Sequence, residues 1–169
     1  MRNVFDQYGQ PENRLSHALA TCLHEDRAFL KEFLAWAGAP PRTGKSAIRV
    51  IEQRMPFALV DAADERRGLP DLWLYDEDGW CLIVEAKIAA SLTLDQLRRH
   101  QRTAERAGFE YPAGLTLTLD EPTLSVPASW SRRRWRDLYA LVQRRARGSW
   151  PTRLSEYMEI CESRLPEDE

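Results

Sequence analysis

The sequence predicts an α/β fold, a mixed central sheet flanked by helices with further helices toward the C-terminal end. Three observations predict it. Apolar residues recur at three- and four-residue spacing from Pro11 to Ala37, as on one face of a helix. Three short strand-like runs follow, and then an amphipathic segment leads into the alternating stretch AGLTLTLD. The resulting order, α-β-β-β-α-β-α-α, suits a sheet with helices packed on it.

In the first segment the stripe is Leu15, Leu19, Cys22/Leu23, Phe29/Leu30 and Phe33/Leu34. Pro11 fits the first helical position, where its missing N–H costs nothing. The polar HEDR divides the segment in two, with Asp26 capping the second helix. GAPPRTG is a loop, and SAIRVIEQRMPF, Ser46 to Phe57, reads as a strand ended by Pro56. DLWLYD and WCLIVEAK are two more strands joined by the acidic turn EDG, a hairpin signal. TLDQLRRHQRTAERAG is a helix with Thr93 as its cap, Leu94, Leu97, Gln101 and Ala104 as its inner stripe, and Gly108 at its end. After AGLTLTLD and the proline-rich EPTLSVPAS, one helix is expected from about Ser131 to Arg147 and a last one from Arg153 to about Arg164.

With 169 residues, 43% apolar and 30% charged, the chain is expected to be one domain, residues 1–169, with a single core. No apolar run approaches the roughly 18 residues of a membrane helix, and MRNVFDQYGQ lacks the apolar centre of a secretory signal. A cytoplasmic protein without membrane contact is expected. Cys22, Cys81 and Cys161 are odd in number and widely spaced, which argues against a disulfide framework or a zinc knuckle. The net charge of −2 conceals an uneven distribution: Ser131 to Arg147 holds seven arginines and one acid, and QLRRHQRTAER holds four and one. One such cluster is ordinarily a solvated face. Two of them, carrying Arg98, Arg99, Arg102, Arg132, Arg133, Arg134 and Arg136, point toward a phosphate-bearing partner, since guanidinium groups grip phosphate bidentately.

The hairpin carries the chemistry. An apolar run, Cys-Leu-Ile-Val, ends in Glu85 and Lys87, and the strand before it opens with Asp71. Buried charges are costly unless paired or bound to a metal. With the turn centred near Glu77 and Asp78, Asp71 falls opposite Val84 or Glu85, where cross-strand Cβ atoms lie ~5 Å apart. Glu85 and Lys87, two residues apart on one strand, leave the same face. Two carboxylates able to share one cation, with an amine alongside, suit phosphodiester hydrolysis with Mg2+ or Mn2+. Lys87 would orient or deprotonate the attacking water, or stabilise charge on the phosphate. A strand-end ion pair at the surface is the alternative explanation of Glu85 and Lys87.

Pro70-Asp71, thirteen intervening residues and Glu85-Ala86-Lys87 resemble the PD-(D/E)XK nuclease superfamily, whose members include restriction endonucleases, Holliday-junction resolvases and RecB-type nucleases. The order up to about Leu119 is similar to that superfamily's restriction-endonuclease-like αβββαβ core. The resemblance implies a metal-dependent nuclease acting on DNA, in defence or repair, with target choice supplied by a homodimer or a partner subunit. It also implies that Glu12, on the first helix ahead of Leu15 and Leu19, joins Asp71 and Glu85 at the metal; an acid favoured by the helix dipole is the plainer explanation. RecB-like members carry Q-x-x-x-Y on the helix after the third strand; here Gln96 is followed by His100. Gln96 also fits a capping box with Thr93. A catalytically silent protein of the same fold that only binds nucleic acid or a partner is the alternative function.

Other motifs carry less. APPRTGKS matches a relaxed phosphate-loop pattern but follows a helix and leads into a strand, the reverse of the needed context, although Arg42 and Lys45 could touch a phosphate backbone. His17 and His24 are seven apart, whereas metal pairs on a helix want three or four. Trp130 and Trp135 flank the arginine run and fit core packing better than base stacking.

Overall fold

The computed structural model describes residues 11–56, 69–88, 91–120, 125–144 and 149–162, with the side chains of Pro11, Glu12 and Ser149 outside the described set. Its centre is a five-stranded sheet in the order β1-β2-β3-β4-β5, formed by Arg49–Glu52 (β1), Leu72–Tyr75 (β2), Cys81–Ala86 (β3), Ala113–Thr118 (β4) and Trp130–Arg134 (β5). β2 runs antiparallel to its neighbours β1 and β3; β4 and β5 run parallel to β3. Helices Pro11–Glu25 (α1), Arg27–Ala37 (α2), Trp135–Arg144 (α4) and Ser149–Glu162 (α5) contribute to the core on one face, and Leu94–Arg106 (α3) to that on the other. No helix among the described residues is long and apolar enough to cross a membrane.

Alternation along the strands assigns each side chain to a layer. Leu72 and Leu74 of β2 and Leu82, Val84 and Ala86 of β3 join Leu19, Phe33, Leu138 and Tyr157 in the larger core. Trp73, Tyr75, Cys81 and Ile83 face the other way, onto Leu97, Ala104 and Phe109. Covered on both faces, β2 and β3 are buried throughout, which is why their sequences read as near-continuous apolar runs.

Local chemistry ends the helices where the sequence indicates. Asp26 accepts the Phe29 N–H at 2.9 Å and starts α2; Gly38, at φ +70°, closes it in the left-handed conformation that glycine adopts without strain. Thr93 caps α3 by accepting the Gln96 N–H at 3.2 Å. At the hairpin turn the buried Asp76 accepts the amides of Asp78 and Trp80, both at 3.0 Å, and pairs with Arg42 at 2.7 Å.

Three expectations need correction. The strand expected over Ser46–Phe57 is confined to Arg49–Glu52: the Ser46 amide is drawn to Asp78, and Gln53, at φ +43°, leaves the extended conformation. Phe57 lies outside the described residues. The helix expected from Ser131 starts only at Trp135, because Trp130–Arg134 pairs with β4 as a fifth strand. Trp130 packs against the backbone of Gly114, a close approach that any Cβ there would block. The last helix begins earlier than expected, at Ser149, with Pro151 tolerated in its first turn.

Candidate active site

The hairpin register decides which side chains meet. Leu72 pairs with Val84, so one step further Asp71 lies opposite Glu85. The Asp71 carboxylate accepts the Ala86 N–H at 2.7 Å, and its carbonyl accepts the Gln53 N–H at 3.2 Å. Both bonds anchor Asp71 at the end of the sheet where Glu85 and Lys87 lie.

Glu85 shares the parity of Cys81 and Ile83 and therefore faces α3. It is 1% exposed. Its Oε1 receives Lys87 Nζ at 2.6 Å and Gln96 Nε2 at 2.5 Å, while His100 Nε2 lies 2.9 Å from Oε2. Lys87 holds its place through a backbone bond to the Leu117 carbonyl at 2.7 Å, and its side chain is 14% exposed. A carboxylate this deep is tolerable because an ammonium and an amide converge on it.

Gln96 takes only half of a capping box: its amide bonds Thr93, but its side chain reaches Glu85 instead of returning to the helix start. His100 is the contact that sequence reasoning missed. Of the expected inner stripe of α3, Leu97 and Ala104 are buried, but Leu94 and Gln101 are only half-buried and His100 takes the place between. The available signal was its i, i+4 relation to Gln96, which places both on one face.

Glu12 belongs to α1, but its side chain lies outside the described residues. Among those described, no three His, Cys, Asp or Glu groups gather closely enough to hold an ion by themselves. Asp71 and Glu85 still fit a hard divalent cation, since Mg2+ commonly binds one or two carboxylates and keeps several waters. Glu85 Oε2 lacks a well-formed hydrogen bond in its buried position, so that oxygen has lone-pair capacity to spare.

The arginines divide. Arg98, Arg99 and Arg102 are exposed on α3, on the helix that carries Gln96. Arg132 is exposed in a row across the sheet, Glu85 to Thr116 to Arg132, two strand spacings or about 10 Å from Glu85. Arg136 is exposed at the start of α4. Arg133 donates to the Trp36 carbonyl at 2.9 Å and lies over that indole, and Arg134 grips Asp137 at 3.0 and 3.3 Å, holding its carboxyl below the usual range. Those two serve the fold with at least part of their donors.

The remaining motifs are structural. Arg42 is tied to Asp76 and the Ser46 carbonyl and stacks on Trp80, and Asp78 occupies the Ser46 amide that a phosphate would need. His17 binds Glu52 at 2.8 Å and His24 sits beside Glu25. Trp130 and Trp135 are core residues.

A family model described as the PD-(D/E)XK nuclease superfamily matches residues 2–169. Searches of curated proteins and of solved structures return no match. The chain belongs to the PD-(D/E)XK nuclease superfamily, and the five-stranded mixed sheet and five helices of the described residues are consistent with the restriction-endonuclease-like fold.

Proposed function

We propose that this member of the PD-(D/E)XK nuclease superfamily hydrolyses phosphodiester bonds in DNA, using a divalent cation, Mg2+ or Mn2+, held by Asp71 and Glu85 with Glu12 as a further ligand. The observation that carries the reading is the convergence at one sheet end of two carboxylates from adjacent strands and the Lys87 ammonium, 2.6 Å from Glu85. A surface ion pair explains it poorly, because Glu85 is buried.

The contacts support a role for each residue. Asp71, fixed by the Ala86 amide, would be one carboxylate ligand of the cation. Gln96, with Lys87, pins Oε1 of the Glu85 carboxylate. The cation, when bound, supplies a Lewis acid for the phosphate and lowers the pKa of an attacking water. Lys87 orients that water through its N–H donors and offers positive charge to the phosphate oxygens. Arg98, Arg99, Arg102, Arg132 and Arg136 hold the flanking backbone phosphates, with Arg133 and Arg134 contributing only donors left over from their contacts within the fold. The host pathway we assign is defence or DNA repair, with target choice supplied by a second copy of the chain or a partner subunit.

The test is incubation of the purified protein with linear, nicked, branched and single-stranded DNA in Mg2+ or Mn2+, beside Asp71→Ala and an EDTA control. Cleavage abolished in both controls supports the reading. Salt-sensitive DNA retention without cleavage under any condition would instead assign a silent binding protein.

A further inference from the structure

Among the described residues that contact Glu85, His100 is the one with no assigned task. It is 0% exposed, on α3 one turn beyond Gln96. Neither ring nitrogen has a hydrogen-bond partner among the described residues, even though Nε2 lies only 2.9 Å from Glu85 Oε2. The separation is that of a hydrogen bond, but the alignment is not, and Oε2 is left equally unsatisfied. Two orphaned polar atoms face each other inside the molecule, which native structures rarely permit without a functional reason.

We propose that His100 is a positioning residue for the divalent cation, acting through Glu85; this rests on the reading of Asp71 and Glu85 as the cation's ligands. Oε1 already accepts from Lys87 and Gln96, so both of its lone pairs are engaged. Oε2 is the oxygen left for the ion. A small rotation of the carboxylate aligns the Nε2–H of His100 with one lone pair of Oε2 and turns the other toward Asp71. The imidazole fixes the ligand's orientation, as partners behind metal ligands commonly do. A leucine at this position, apolar like Leu97 and Ala104 beside it, would leave Oε2 free to turn away.

The experiment measures Mn2+ binding to the full chain by calorimetry and by electron paramagnetic resonance of the unbound ion, without substrate. It compares wild type, Asp71→Asn, His100→Gln and His100→Asn, with thermal unfolding of each in EDTA. The two His100 variants bury the same amide and differ in reach: Gln places its N–H near the Nε2 position, Asn only near Nδ1. Binding in wild type that is abolished in Asp71→Asn, weakened about 10–100-fold in His100→Asn and restored in His100→Gln is the expected result. Equal affinity in all His100 forms, or equal weakening in Gln and Asn, overturns the role of His100 while Asp71-dependent binding keeps the ligand reading. Wild type that binds no Mn2+ overturns the ligand reading and this inference together.

Discussion

Removing the Lys87 ammonium should destabilise the metal-free protein, and a divalent cation should restore much of the loss. Lys87 Nζ is 2.6 Å from Glu85 Oε1, with the two side chains 14% and 1% exposed. At an effective dielectric near 20 the gross attraction at that distance is about 6 kcal/mol. Desolvation offsets part of it, and breaking a buried pair typically costs about 3–5 kcal/mol because one charge is stranded. Gln96 and His100 still face the stranded Glu85 in Lys87→Met, so the lower end applies, about 3 kcal/mol. For a chain of this size that is a fall of roughly 6–12 °C in Tm. Adding Glu85→Gln to Lys87→Met removes the stranded charge and should recover about 2 kcal/mol as a coupling term. The cation and the ammonium neutralise the same carboxylate, so Mn2+ should stabilise Lys87→Met more than wild type. Urea unfolding of wild type, Lys87→Met, Glu85→Gln and the double variant in EDTA and in Mn2+ measures the free energies, and thermal unfolding in EDTA measures the Tm. A Lys87→Met protein within about 0.5 kcal/mol of wild type in EDTA, or one gaining no more from Mn2+, would refute the compensation argument.

Gly114→Ala drives a Cβ into the buried Trp130 indole and should cost about 1–3 kcal/mol, seen as a lowered Tm; an unchanged Tm would mean that β5 yields freely. Burial pushes the Cys22 and Cys81 thiols up to about 12, so at pH 8 only about one in 10,000 of each is thiolate. A thiol reagent should therefore titrate the half-buried Cys161 first, with the other two reacting faster as pH rises and promptly only after unfolding; two or more thiols reacting at once in the native protein would contradict this. Replacing Arg98, Arg99 and Arg102 with alanine should weaken DNA binding across sequences and lower the salt slope by about 0.9 for each phosphate no longer neutralised. Arg133→Ala, which removes the packing against Trp36, should lower Tm in thermal unfolding while leaving the salt slope of DNA retention within about 0.3 of wild type.

Local pattern identified the elements whose reason for forming is local. The α2 and α3 caps, the helix stops at Gly38 and Gly108, and the hairpin between β2 and β3 are all specified within a few residues of chain. The neighbourhood of Asp71, Glu85 and Lys87 was legible for the same reason, since one hairpin with period-two alternation brings them together. β5 was not legible. Its run of arginines has no strand signature, and it pairs only because β4 offers an open edge and Gly114 admits the Trp130 ring. The termini of β1 were hidden too: its start depends on Asp78, distant in sequence, and its end on a positive φ at Gln53, a residue type that does not announce one.

The sequence alone determined most of the short segments that form helices and strands, and that two acids and a lysine share one end of a hairpin, because those interactions span few residues and repeat with a fixed period. Only the tertiary structure decided that α3 lies over Glu85 and brings Gln96 and His100 to its two oxygens, that Arg133 and Arg134 turn to the fold while Arg132 remains exposed, and that a fifth strand closes the edge. Those choices depend on burial and pairing between segments brought together by packing, and a linear pattern holds no record of which distant surface a polar side chain will meet.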